Sequence, residues 1–307
     1  MTKHNCILIS NPSEAAYKDN TSIVNVEIED GVTEIGDSAF KGCTALENII
    51  TPNSVTRIGE RAFEGCTALK SIVIPDSVTE ISAHTFLYCS ALESVIIPDS
   101  VTKIGDFAFG GCTRMTNINI PDSVMEIVRC AFSKTSLTSI VIPDSVTKLG
   151  SFAFSLCKDL TSVVIPNSIE NIRANTFKVT GLINVYIPNN DTGIGPYAFA
   201  NCHSLTSVTI TGSVIDIGPG AFSRCPQLKN VVVSTDPDNS ICISPHAFRG
   251  CTGLKRVVVP ENASIGPKAF DESTIVKNTN GETVKIPEGD ICCCPFILKK
   301  AKTDTIG

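Results

Sequence analysis

The 307-residue chain has no apolar run approaching the ~18 residues that a membrane-spanning helix needs. Nor does it have a basic run of five or more. Its net charge of −6 and pI near 5.3 argue against a polyanion-binding role such as nucleic-acid recognition. The N-terminal apolar stretch, Cys6 to Ile9, is too short for a signal-peptide core. Only four histidines occur, His4, His84, His203 and His246, at unrelated places, so no Cys-His or Ser-His nucleophilic pair is indicated. No glycine-rich phosphate loop follows a strand-like segment. Apart from the overlapping Cys292 to Cys294 cluster there is no C-x-x-C pattern, and the nearest thiol–imidazole pairings, Cys202 with His203 and His246 with Cys251, lack the spacing of a closed zinc site. These absences predict a soluble, non-enzymatic chain with no cofactor and no metal, cytoplasmic by default.

Repetition fills the sequence instead. Phe40, Phe63, Phe86, Phe109, Phe132, Phe154, Phe177, Phe199, Phe222, Phe248 and Phe270 recur at steps of 22 or 23 residues, with one step of 26. A fixed period of this size is the mark of a solenoid. Self-similarity from 22 to about 272 therefore predicts one elongated array of about eleven repeats, preceded by a cap or loose lead over 1–21 and followed by a C-terminal segment over 273–307.

Within each unit Leu69-x-x-Ile72-x-Ile74 carries the L-x-x-L-x-L signature of a leucine-rich repeat. Its short strand sends Ile72 and Ile74 inward and Ser71 and Val73 outward. Pro75-Asp76-Ser77 turns the chain, Val78 and Ile81 bury the return segment, and Phe63 closes the coil. Only about a turn of helix fits between Gly36 and Cys43. The units after Phe132 and Phe177 are one residue short, and Thr235 to Ser240 reads as a surface loop. Asn280-Gly281, between two β-prone runs, predicts a hairpin from Ile275 to Ile286 that caps the last coil.

The wording Ile-Pro-Asp-Ser-Val-Thr-x-Ile-Gly-x-x-Ala-Phe-x-Gly-Cys-Thr-x-Leu, nearly verbatim from Ile74 to Leu92 and from Ile97 to Met115, resembles the BspA-type leucine-rich repeats of bacterial and protozoan surface proteins. The resemblance implies an α/β-type, mostly β solenoid of right-handed leucine-rich-repeat coils, with one parallel sheet on one face and short loops and turns on the other. It also implies adhesion or host-protein binding, and supplies no catalytic residue. The chain differs from secreted relatives in lacking a signal peptide, and from prenylated ones in ending Asp304-Thr305-Ile306-Gly307.

Eight cysteines, Cys43, Cys66, Cys89, Cys112, Cys157, Cys202, Cys225 and Cys251, each stand three residues after an anchor phenylalanine. Stacking puts them about 5 Å apart, a distance open to disulfide pairing. Thr135 and Thr180 fill the same place in two repeats, which favours a reduced ladder of small buried side chains.

The outward face of the strands is the first candidate site. Its central column reads Glu27, Ile50, Val73, Ile96, Asn119, Val141, Val164, Tyr186, Thr209, Val232 and Val258, flanked by a column of mostly Ser and Asn. Valines in register pack on one another, and a contiguous exposed apolar patch marks an interaction surface. The column from Ile50 to Val258 is therefore the candidate surface for a protein partner, or for a second copy if the chain is a structural, self-associating module. Asp76, Asp99, Asp122 and Asp144 form a carboxylate ladder, but Asn53 and Asn167 share its place and no calcium loop accompanies it, so turn formation accounts for them. Three Asn-x-Ser/Thr sequons, at Asn20, Asn190 and Asn262, matter only in a secreted chain. The run Cys292-Cys293-Cys294, beside Phe296-Ile297-Leu298 and Lys299-Lys300, is an S-acylation candidate that would bring the chain to a membrane.

Overall fold

A computed structural model of the chain describes residues 6–188, 193–212, 214–235 and 240–287. Two compact units emerge, Met1–Ile169 and Glu170–Gly307. Both are built the same way, as stacked coils that each carry two short strands. Anchors Phe40 to Phe154 mark six coils in the first unit, and Phe177 to Phe270 mark five in the second. In both units the anchors are completely or almost completely buried and stack ring on ring, from 5.6 Å between Phe63 and Phe86 to 5.0 Å between Phe248 and Phe270. Near-parallel rings at such separations are offset stacks, a geometry that adds to their large burial term.

Ser71–Val73 shows how a strand arises. Its residues are exposed, buried and exposed in turn, because a two-residue side-chain period meets a core on one face only. Pro75 then bends the chain, and Val78 and Ile81 return to the core. The return segment is itself a strand: Glu80–Ile81 pairs in parallel with Lys103–Ile104 of the next coil. This second ladder was not legible in the repeat wording, since two residues are too few to show a period.

The α/β-type label is corrected by the corner that carries the phenylalanine. No helix occurs among the described residues. In the first coil with the full wording, the amides of Ser38, Phe40 and Gly42 donate to Glu60, Ala62 and Glu64 of the next coil, at 2.8, 2.8 and 2.7 Å. Those of Ala39, Lys41 and Cys43 turn back onto residues three positions earlier in their own coil. Such alternation needs left-handed residues on both sides of the anchor, here Ser38 (φ 56°) and Gly42 (φ 74°), and they interrupt the right-handed run that a helix would need. Every described anchor from Phe40 to Phe248 has this pair.

Pairing along the strand face is interrupted in places. In the first unit the longer strands fall into separate ladders: Cys6–Ile9 with Asn25–Ile28 and Asn48–Ile50, then Ser71–Val73 with Ser94–Ile96, then Ser139–Val141 with Ser162–Val164. Asn117 to Asn119 forms no strand, since asparagine on both sides of a half-buried Ile118 is a poor strand former. In the second unit five longer strands, from Asn184–Ile187 to Ile275–Asn278, make one parallel sheet, and five return strands make another.

At the start, residues 6–20 form a further coil without the repeat wording. Cys6–Ile9 joins the sheet, and Tyr17 stacks on Phe40 at 5.3 Å. At the other end Ile275–Asn278 adds in parallel to Arg256–Val259, and the chain then reverses at Gly281 (φ 83°). The returning arm bridges Lys277 to Thr283, and the Val284 amide donates to the Val276 carbonyl oxygen at 3.0 Å. Most of the loop between Thr235 and Ser240 lies outside the described residues, as do Asn190 and Cys292 to Cys294.

Candidate functional surface

The sheet face places the predicted column where the strand period requires. Ile50, Val73, Ile96, Val141 and Val164 in the first unit are 53–64 % exposed, against 1–8 % for the inward isoleucines beside them. Val73 is in register with Ile96, and Val141 with Val164. Asn119 is exposed but lies outside any strand, so it interrupts the column in backbone as well as in polarity. In the second unit Tyr186, Thr209 and Val232 are successive register partners, followed by Val258. Thr209 is half-buried between its neighbours, while Tyr186, Val232 and Val258 are exposed. Thr211 donates its hydroxyl to the Tyr186 hydroxyl oxygen at 3.3 Å, which ties the ring down along the sheet.

Two members of these columns escaped the sequence reading. Leu8, 58 % exposed, is the register partner of Glu27, and Lys277 is that of Val258. Neither strand carries the repeat wording, and the step from Leu8 to Glu27 is shorter than the period, so only pairing reveals them. The polar flank is hydrogen-bonded across coils: Asn48 Nδ2 donates to Asn25 Oδ1 at 2.8 Å, and Ser207 Oγ to Asn184 Oδ1 at 2.6 Å.

The return strands carry charges that alternate in sign along the first unit, in the order Glu34, Arg57, Glu80, Lys103, Glu126, Lys148. Arg57 pairs with Glu34 and, at 2.6 Å, with Asp37; Lys103 reaches Glu80 at 3.9 Å; Lys148 pairs with Glu126. Hydrogen bonding to Lys148 holds the Glu126 carboxyl below its usual range. This ladder would have been visible to anyone reading that column at the repeat spacing.

The ladder cysteines have a shared role. All eight are free and buried, and each thiol donates to the carbonyl oxygen of the preceding coil's anchor residue, as Cys66 does to Phe40 at 3.1 Å and Cys251 to Phe222 at 3.1 Å. Thr135 and Thr180 satisfy the carbonyl of their own anchor at 2.9 Å. Burial pushes the Cys43 and Cys157 thiols up to about 11. The serine after each turn aspartate reaches back in the same way, as Ser100 Oγ does to Val78 at 2.7 Å, and leaves Asp76, Asp99, Asp122 and Asp144 exposed at the turns. Among the described residues no group of three or more His, Cys, Asp and Glu is placed to hold a metal ion, and no helix is long and apolar enough to cross a membrane.

With coils, corner and strand face in hand, the sequence matches the BspA-type leucine rich repeat region in six copies, over 11–134, 79–195 and 171–289. The chain belongs to the BspA-type leucine-rich repeat family. Among solved structures this family member is similar to a leucine rich cell surface protein from Faecalibacterium prausnitzii, at 29 % identity over 91 % of this chain and 88 % of that one, with a TM-score of 0.56. The pneumococcal vaccine antigen PcpA shares the fold at 18 % identity and a TM-score of 0.57, over 83 % of this chain and 68 % of that one. None of the curated proteins compared matches the sequence.

Proposed function

We propose that this BspA-type repeat protein is a non-enzymatic scaffold that binds another protein through its outward strand face. The observation that carries the reading is the repeated exposure of Ile or Val at one strand position, coil after coil, where solvation alone would favour polar residues. Exposed aliphatics on rigid, register-locked strands lose little side-chain entropy on binding. Similarity to a cell surface protein and to a vaccine antigen supports adhesion or host-protein interaction as the setting, with display at a cell surface.

The test is Val141→Glu with Val164→Glu, two exposed register partners whose replacement leaves the core intact. Cross-linking in cells, followed by retrieval of the wild-type chain, should recover a partner that the double variant loses. Equal recovery by both would sink the reading. Sedimentation decides the self-associating alternative: it requires a wild-type dimer that the double variant abolishes.

A further inference from the structure

The second unit differs from the first in one electrostatic respect. In the first unit the position just after the inward leucine carries Glu47, Lys70 and Glu93 in successive coils, and Lys70 pairs with Glu47 at 2.7 Å while Arg114, beside that position in the next coil, reaches Glu93 at 3.4 Å. In the second unit the same position carries Lys229 and then Lys255, followed in the strand by Arg256 and in the last strand by Lys277. None of these four cations forms an ion pair with a described residue, whereas Lys70, Arg57, Lys103 and Lys148 of the first unit all do. Lys255 donates only to the Thr252 carbonyl oxygen. Glu282 is occupied by Asn278, whose Nδ2 it accepts at 2.9 Å.

Like charges one coil apart, about 5 Å, oppose the stacking that brings them together. They lie beside Val232, Val258 and Ile275, each 39–54 % exposed, and a shallow depression of about 390 Å³ is lined by Lys229 and Arg256 together with the two valines. Unpaired positive charge around an apolar floor fits a ligand that brings carboxylates and aliphatic groups together. The exposed strand pitch fits an extended one.

We infer that the strand face formed by Lys229–Val233, Arg256–Val259 and Ile275–Lys277 docks an acidic, extended protein segment in which carboxylates flank aliphatic residues. The inference rests on the scaffold reading and narrows it to a partner chemistry. The probe is a fluorescein-labelled peptide of roughly ten residues in which Glu-Glu pairs alternate with Val-Val pairs, titrated with the full chain and followed by anisotropy. Saturable binding is expected, weakening at least about fivefold as salt rises through the range in which the Debye length falls below about 10 Å. Lys229→Ala, Lys255→Ala and Arg256→Ala together should abolish it, while the Val141→Glu and Val164→Glu pair should retain it. The same three positions changed to Glu should instead bind the peptide with Lys in place of Glu. Absence of saturable binding overturns the inference, as does unchanged affinity in the alanine variant or equal affinity for a single-stranded oligothymidylate. The stripe test above can fail without altering any of these results, so the two readings fall separately.

Discussion

The thiol of Cys66 donates to the carbonyl oxygen of Phe40, the anchor of the preceding coil, at 3.1 Å. Repeated along both units, this contact explains why a small apolar donor recurs at that position. An alanine at the place of Cys66 would leave that carbonyl with its backbone donor alone, the Cys43 amide at 3.1 Å. It also fixes the redox chemistry of the ladder. All eight thiols are buried, out of reach of a reagent in solution. Alkylation of native protein should leave the ladder cysteines unmodified at pH 8 and modify them once denaturant is added, and rapid modification without denaturant would contradict the arrangement.

The same thiols set an alkaline limit. Cys43 and Cys157 keep their protons up to about 11, above the ordinary value of 9.0 that applies when the chain is unfolded. Between those values the folded state binds more protons than the unfolded one, so stability is full below pH 9 and is lost as pH rises toward 11. Denaturant midpoints measured from pH 8 to pH 11 should fall. Cys43→Ala with Cys157→Ala, less stable at pH 8 through the lost packing, should show a shallower fall.

Val179 occupies the left-handed region at φ 60°, a conformation that strains a β-branched residue. Its equivalents Gly42, Gly65, Gly111 and Gly250 adopt the same region without that strain. Val179→Gly should therefore stabilise the chain by about 1 kcal/mol, net of glycine's greater freedom when unfolded. Gly65→Val should destabilise it by about 1–2 kcal/mol, since an added Cβ there makes only ordinary van der Waals contact, 3.8 Å from the Gly42 Cα, and backbone strain is the main change. Thermal melting of the two variants distinguishes the outcomes, and opposite signs would refute the role of this position.

Glu126 lies between Lys103 and Lys148 in the return-strand ladder. Glu126→Lys places three lysines in adjacent coils and should cost about 1 kcal/mol at low salt, shrinking in concentrated salt as screening removes the repulsion. A loss that does not change with salt would point to packing instead.

Burial raises the Asp216 carboxyl to about 6 from 3.8, against the opposing hydrogen bond from Ser244. A carboxyl raised in this way favours folding below its unfolded value, and that contribution disappears as pH rises through 6. Asp216→Asn should thus stabilise the protein by about 1–2 kcal/mol at pH 8 and by little at pH 4. Chemical denaturation at the two pH values measures the difference.

The sequence by itself determined the coil. Phe63, Cys66, Leu69, Ile72, Ile74, Val78 and Ile81 recur with a spacing that only stacking can bury, and their inward places follow from that spacing and from strand alternation. The outward column followed from the same alternation, because whatever lies between two inward residues of a strand must face out. Tertiary structure decided what period cannot encode. Whether the corner around Phe40 coils into a helix depends on amides that bond to the next coil, and left-handed Ser38 gives no sign of it as an amino acid. Leu8 and Lys277 join their columns through pairing with a neighbour rather than through any motif of their own. Whether a charge has a partner is likewise a property of adjacent coils: Lys70 and Lys229 hold the same place in the repeat, and only the residue stacked beside each leaves one paired and the other free.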